Sequence, residues 1–188
     1  TKTGGTAALT GDVVAGALTI NGTGGTLNLA GSNVNTGAVT LTAGTIAGTT
    51  GILTGTSYSL QTGTVSAILG GAGAATKTTA GIVTLSGANT FSGGLTLNAG
   101  TLNINNAAAL GLGAFTITGG TINNTSGGAI TLSTNNPQNW NGNFTFTGTS
   151  SLNLGVGAVT MNANRTVTAN ANTLTVGGVI GGTFRLTK

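Results

Sequence analysis

Apolar and polar residues alternate along most of this chain, most clearly between residues 84 and 105. Gly94-Leu95-Thr96-Leu97-Asn98 and Thr101-Leu102-Asn103-Ile104-Asn105 each carry an apolar residue at every second position. A period of two places the apolar side chains on one face and the polar ones on the other, which predicts two half-buried strands. Ala99-Gly100 between them is too short for a helix and predicts a turn.

The chain also repeats itself on a longer scale. Thr1-Lys2-Thr3 recurs as Thr76-Lys77-Thr78, and the strand pattern of Leu18-Thr19-Ile20-Asn21 returns at the matching place in the second copy. We therefore interpret residues 1–188 as a single domain with internal repeats 1–75 and 76–188.

A shorter period lies within these repeats. A glycine followed by threonine and an aliphatic residue recurs at nearly regular intervals, at Gly25, Gly44, Gly63, Gly100 and Gly120. A strand-and-turn unit of about 20 residues, repeated without helices, is typical of a β-solenoid. About ten turns fit in the chain, and at about 4.8 Å per turn they would form a stack roughly 50 Å long. Beyond Gly128 the strands follow one another more closely. Either the turns become smaller there, or successive strands lie on alternate faces of larger turns.

The composition supports an all-β fold without helices. The chain holds 36 glycines and no glutamate, and only 3% of its residues are charged. Glycine, threonine and asparagine disfavour helices and suit strands and turns. The net charge of +4 comes from five scattered cations, whereas nucleic-acid binding requires clustered ones. No run of about 18 apolar residues occurs, so we expect no membrane insertion in this segment.

Catalysis lacks the side chains that it needs. The sequence contains no histidine, cysteine or glutamate, and Asp12 is its one acidic residue. Catalytic triads, paired carboxylates and clustered metal ligands therefore cannot be assembled. We expect no enzymatic activity, no metal and no cofactor, and we interpret Asp12 as a solvated turn residue.

One segment departs from the repeat, Asn135-Asn136-Pro137-Gln138-Asn139-Trp140-Asn141-Gly142. It holds the one proline and the one tryptophan of the chain. Proline removes a donor from a sheet, so we predict a loop between strands. An aromatic face beside amides suits a sugar, which makes Trp140, Asn139 and Asn141 the candidate ligand contacts. The alternative is that Trp140 covers the core.

Polar side chains on the strands and turns admit two interpretations each. Thr-x-Thr pairs such as Thr40/Thr42 and Thr116/Thr118 point both hydroxyls outward, and a flat threonine ladder would suit ice binding. The pairs do not keep one phase in the repeat, which favours an ordinary role as exposed strand residues. Asparagines at predicted turns are expected to adopt left-handed backbone and to stack their amides; they are Asn103, Asn105, Asn106, Asn123 and Asn124.

The segment from Leu85 to Gly94, Leu-Ser-Gly-Ala-Asn-Thr-Phe-Ser-Gly-Gly, continues through Leu97-Asn98-Ala99-Gly100-Thr101-Leu102. It closely resembles the autotransporter-associated β-strand repeat. That resemblance implies a right-handed parallel β-helix in the passenger region of a bacterial autotransporter or giant adhesin, exported to the cell surface. The copy at residues 9–29 departs from the motif, because Asp12-Val13-Val14-Ala15 replaces the Asn-Thr-aromatic part.

These observations together predict a non-enzymatic, extracellular β-helix that acts as a structural or fibre-forming element of a bacterial surface adhesin. The alternatives are a glycan- or cell-binding adhesin module and an ice-binding β-solenoid. The expected partner is another copy of the chain, in a covalent array or through its end turns, with cell-surface glycans as a further possibility. Because the chain starts Thr1-Lys2 and finishes Thr187-Lys188, we expect it to be one period of a longer tandem array.

Overall fold

The computed structural model describes residues 1–188 and contains strands and turns but no helix. The strands follow the predicted alternation, and both strands of the segment 84–105 are present. They are β1 Thr6–Ala8, β2 Val13–Val14, β3 Leu18–Asn28, β4 Val34–Ala47, β5 Ile52–Leu60, β6 Gly63–Val65, β7 Ile68–Gly70, β8 Ala74–Lys77, β9 Ile82–Leu85, β10 Leu95–Leu97, β11 Thr101–Ile104, β12 Phe115–Ile117, β13 Thr121–Asn123, β14 Ile130–Thr131, β15 Gln138–Trp140, β16 Phe144–Phe146, β17 Leu152–Asn153, β18 Val159–Met161, β19 Arg165–Ala169, β20 Leu174–Thr175, β21 Ile180–Gly181 and β22 Leu186–Thr187.

All strand pairings are parallel and join strands one turn apart, and many strands pair on both sides. β10 lies between β8 and β12, and β11 lies between β9 and β13. The chain thus winds around an axis and builds three strips, which we call the first strip (with β10, β12 and β15), the second strip (with β11, β13 and β16) and the third strip (with β14, β17 and β20). The predicted all-β parallel β-solenoid is confirmed, with about nine turns.

Alternation within each strand builds one interior. In β10, Leu95 and Leu97 are buried and Thr96 between them faces outward, half-buried. The same pattern on successive turns joins 35 buried residues into a single hydrophobic core. Each buried leucine contributes roughly 1.5–3 kcal/mol by leaving water. The ladder between turns meanwhile satisfies the backbone groups that the core would otherwise bury unpaired.

The closer spacing of strands beyond Gly128 reflects the three sides of one turn. Ile130 pairs with Leu152 and Leu152 pairs with Leu174, so each of these residues lies one full turn before the next in the third strip. Phe144 pairs with Val167 in the second strip, which is again one full turn. The strands near Ile130 and Phe144 therefore lie on different sides of large turns, and the turns do not become smaller.

A glycine is required where the chain turns from the first strip to the second. Gly100 has a φ of +74°, and a Cβ on it would clash with the Thr79 carbonyl oxygen. Only glycine combines left-handed backbone with so close an approach. The predicted turn at Ala99-Gly100 therefore requires a residue without a Cβ at position 100.

Candidate functional site

A continuous column of polar side chains runs along the outside of the first strip. Thr96 pairs with Thr76 on one side and with Thr116 on the other, and the same register continues along the strip. We call this set the hydroxyl column; it consists of Thr19, Thr40, Ser59, Thr76, Thr96, Thr116, Asn139 and Thr160.

The prediction that the threonine pairs keep no constant phase holds for their spacing in sequence, although the ladder aligns single residues of the first strip. The separation in sequence between successive members of the hydroxyl column is shortest from Ser59 to Thr76 and longest from Thr116 to Asn139. The connections between the strips absorb these differences in length. The spacing in sequence therefore varies while the ladder keeps the side chains in line.

A second row of uncharged polar residues lies two positions further along each strand and also reaches solvent. We call it the amide row; it consists of Asn21, Thr42, Gln61, Thr78, Asn98, Thr118, Asn141 and Asn162. Asn21 is displaced from the row, because a register shift pairs it with Ala43 rather than with Thr42. Thr118 Oγ1 donates to Asn98 Oδ1 at 2.6 Å, which links two turns within the row. The hydroxyl column and the amide row contain no charged residue themselves, although the Arg165 guanidinium donates to Asn162 Oδ1 at one end. We call the surface that they form together the polar face.

Trp140 points away from this face into the core. The predicted loop around it is wrong, because Gln138–Trp140 forms β15 and pairs with both β12 and β18. Pro137 precedes the strand, and its carbonyl oxygen still accepts a bond from the Phe115 amide at 2.8 Å. The proline therefore costs the ladder nothing at this position.

The surroundings of Trp140 are those of a core residue. Its side chain is 1% exposed, and its Nε1 donates to Gln138 Oε1 at 3.1 Å. The ring meets Phe144 edge-on, with centroids 5.1 Å apart. The structure separates the three candidate contacts, since Asn139 and Asn141 lie on the polar face while the indole between them faces the interior. Asn139 Nδ2 donates to Thr116 Oγ1 at 3.2 Å.

Lys77 is fully buried, a feature that reasoning from the sequence missed. Its side chain is 0% exposed, and it stands in line with Leu97 on the inner side of the first strip. Its Nζ donates to the carbonyl oxygen of Thr79 and lies 3.4 Å from the Thr79 hydroxyl. No carboxylate accompanies it, and burial lowers the pKa of Lys77. The alternation in Thr76-Lys77-Thr78 was the available signal, because it places the lysine inward.

Tyr58 supplies a second buried polar group. Its Oη accepts a hydrogen bond from the Gly55 amide at 2.7 Å, and it lies 2.8 Å from the Leu53 carbonyl and 2.6 Å from that of Gly70. The single hydroxyl proton is donated to one of these carbonyls at a time. Burial raises the pKa of Tyr58, an effect that the backbone hydrogen bonds of Gly55 and Gly70 oppose.

Asparagine side chains join turns at the corners of the solenoid. Asn89 is buried; its Oδ1 accepts from the Leu69 amide at 2.9 Å, and its Nδ2 donates to the Ala109 carbonyl at 2.7 Å. One side chain thereby ties three consecutive turns. The expectation of left-handed backbone at Asn103, Asn105, Asn106, Asn123 and Asn124 is wrong, because the non-glycine residues with positive φ are Ala30, Asn135 and Asn172.

An apolar cavity of about 160 Å³ opens under the last turns, with Trp140 forming part of its wall. The other lining residues are Val167, Ala169, Leu174, Val176, Ile180, Leu186, Thr187 and Lys188. The wall of the cavity is therefore mostly hydrocarbon, and Lys188 is its one charged residue.

The remaining titratable groups do not assemble into a reaction centre. Asp12 Oδ1 accepts a hydrogen bond from the Asn33 amide at 2.6 Å in an exposed turn. The structure contains no cluster of three or more metal-binding side chains. It also contains no helix of the length and hydrophobicity needed to cross a bilayer.

Comparisons with known proteins point to one class of protein. Residues 76–104 match the family model of the passenger-associated-transport-repeat. The chain is also similar to the adhesin BmaC autotransporter of Brucella suis biovar 1 (strain 1330), with 47% identity over 53 residues. That alignment covers 28% of this chain and 2% of the adhesin. No solved structure matches the chain. The resemblance to an autotransporter passenger repeat is confirmed.

The matched segment corresponds to about one and a half turns of the solenoid, from the end of β8 through β11. Its phenylalanine, Phe91, is 0% exposed and packs against Tyr58 with ring centroids 5.9 Å apart. Its asparagine, Asn89, binds the turns on both sides, and Gly100 makes the corner. The repeat motif therefore encodes the contacts by which one turn stacks on the next.

Proposed function

We propose that this chain is a non-catalytic structural segment of a bacterial cell-surface adhesin, exposed outside the cell. Its role is to provide length, stiffness and resistance to proteases. The observation that carries the proposal is the unbroken core and ladder, which run through every turn from β3 to β19. The similarity to a passenger repeat and to an autotransporter adhesin supports the cellular setting.

Limited proteolysis combined with a binding assay tests this role. Lys77 is 0% exposed, so trypsin should leave the Lys77–Thr78 bond intact in the folded chain and cleave it after denaturation. The purified chain should show no saturable binding to host cells. Rapid cleavage at Lys77 under native conditions would contradict the rigid stack that we propose.

The same assay separates the structural role from a glycan- or cell-binding role. Asn139→Ala and Asn141→Ala alter the outer surface. Trp140→Ala would instead open the core, so a loss of binding could not be separated from a loss of stability. Saturable binding that these asparagine variants abolish would assign the chain a contact function at its surface. The matched control is Asn21→Ala, an exposed member of the amide row at its opposite end.

We also propose a second copy of the chain as a partner at the last turns. β21 and β22 each pair with one strand, β18 and β19 respectively, and Val179 beside them is 79% exposed. An added strand from another copy would continue the ladder and cover the apolar cavity. In analytical ultracentrifugation, Val179→Lys with Leu186→Lys should abolish an association that Thr160→Lys with Thr168→Lys preserves. A chain that is monomeric at the highest accessible concentration would contradict this proposal.

In a covalent tandem array, the ladder of one copy would have to continue into the next. Lys2 bridges to Ile20 in the first strip, whereas Thr187 pairs with Thr166 in the second strip. The two Thr-Lys pairs thus lie on different sides of the solenoid. A direct overlap of the two pairs would therefore continue neither strip.

A further inference from the structure

We infer that the polar face binds ordered water and adsorbs to ice, an activity independent of the proposed structural role. The inference rests on the hydroxyl column, whose members are held at the spacing of the ladder. Eight members at about 4.8 Å per turn extend over about 34 Å. The amide row runs beside it at about 7 Å, the distance between alternate residues of a strand. The result is a two-dimensional array of polar groups.

The hydroxyls of this array are available to water. Within the hydroxyl column, Thr116 alone has a hydroxyl with a protein partner, the Asn139 amide at 3.2 Å. The side chains are half-buried or exposed, and the one buried side-chain polar atom without a partner lies elsewhere, at Gln138 Nε2. A threonine hydroxyl offers one donor and two acceptor positions. Water that bridges adjacent turns would therefore repeat with the period of the solenoid.

The chemistry of the face suits a crystalline, uncharged ligand. The buried Lys77 stands between Thr76 and Thr78 but turns its ammonium inward. Charged groups orient water radially around themselves, and the Arg165 guanidinium meets the face at Asn162, in its last turn. The turns before it can therefore carry one lattice of water. Threonine also contributes a methyl group beside each hydroxyl, which limits competing orientations of the water.

The second strip is a poorer candidate for the same activity. It carries an aligned column of its own, Thr6, Thr26, Thr45, Thr64 and Thr84. This column ends where Asn103 follows Thr84 and its Nδ2 donates to Thr84 Oγ1 at 3.0 Å. It therefore has five members, against eight in the hydroxyl column. The first strip is therefore the surface to test.

Thermal hysteresis, the gap between the melting and freezing temperatures of a solution holding a seed crystal, provides the test. We expect a measurable gap and faceted crystals with the purified chain. Thr76→Arg with Thr96→Arg should abolish the gap, because two charged side chains interrupt the centre of the array. Thr131→Arg with Thr175→Arg, at exposed positions of the third strip, is the matched control and should retain it.

Circular dichroism of each variant shows whether it folds. If the arginine variant is unfolded, Thr76→Ser with Thr96→Ser keeps the hydroxyls, removes two methyl groups and should reduce the gap. Absence of hysteresis, together with exclusion of the chain from a growing ice crystal, would overturn the inference. A gap that the first-strip variants leave unchanged would overturn it as well, and so would a gap that the third-strip control abolishes.

Discussion

At the scale of single residues, the least expected feature is a lysine in the core. Lys77 is in line with Leu97 and is held by the carbonyl and hydroxyl of Thr79. Removing an ammonium from water without a carboxylate partner is costly. The corner carbonyl of Thr79 offsets part of this cost. The equivalent Lys2 lies at the first turn, where its side chain remains partly exposed.

Lys77→Met should therefore stabilise the protein by about 1–3 kcal/mol, since an apolar side chain of similar length replaces a buried unpaired charge. Urea unfolding at neutral pH measures the change. Arg185→Met, at an exposed position outside the wall of the apolar cavity, is the control and should have no effect. A less stable Lys77→Met variant would show that the bonds to Thr79 outweigh desolvation.

The stability should also depend on pH through Lys77. Its pKa is lowered from 10.5 in the folded state, so between the lowered value and 10.5 the unfolded chain binds more protons. The free energy of unfolding then rises with pH across that window. Unfolding curves at a series of alkaline pH values should show this rise in the parent chain and lack it in Lys77→Met.

Tyr58→Phe should destabilise the fold by about 1–3 kcal/mol, because the buried Gly55 amide loses its acceptor. The pKa of Tyr58 is raised above 10.0 by burial. Above pH 10.0 the unfolded phenol ionises while the folded one keeps its proton, so stability falls as pH rises. The loss of stability at alkaline pH should be smaller in Tyr58→Phe. An unchanged loss would show that Tyr58 is not its source.

At the scale of elements, the strands and their faces could be predicted, whereas their alignment between turns could not. Alternation marks β10 and β11 because half-buried strands require it. Alignment depends on how many residues each corner absorbs, which ranges from the short connection before Thr76 to the long one before Asn139. For this reason the hydroxyl column could not be predicted from the sequence. The loop predicted around Trp140 is wrong because Pro137 lies just before β15, where its missing donor does not interrupt the strand.

The corner at Gly100 gives the element-scale prediction. Gly100→Ala should destabilise the protein by about 1–3 kcal/mol, because an alanine is strained in left-handed backbone and its Cβ would clash with the Thr79 carbonyl. Gly128→Ala is the control, since a Cβ there meets nothing within 4 Å. Thermal unfolding of both variants makes the comparison. Equal melting temperatures would mean that the corner rearranges freely.

At the scale of the whole molecule, the chain is one stack in which each turn depends on its neighbours. The buried residues form one continuous core. Length, stiffness and the regularity of the polar face all follow from this single arrangement. The period of about 20 residues predicted the solenoid, because a strand-and-turn unit of that length buries its apolar positions by stacking on its neighbours. The composition added that the chain is all-β.

The distance between two members of the hydroxyl column tests this arrangement most directly. The chain has no cysteine, so Thr19→Cys with Thr160→Cys introduces unique sites for spin labels. Double electron–electron resonance should give one distribution centred at about 34 Å, set by seven steps of the ladder and broadened by the label arms. A much shorter mean, as in a sheet folded back on itself, or a broad unstructured distribution would contradict the stack of parallel turns.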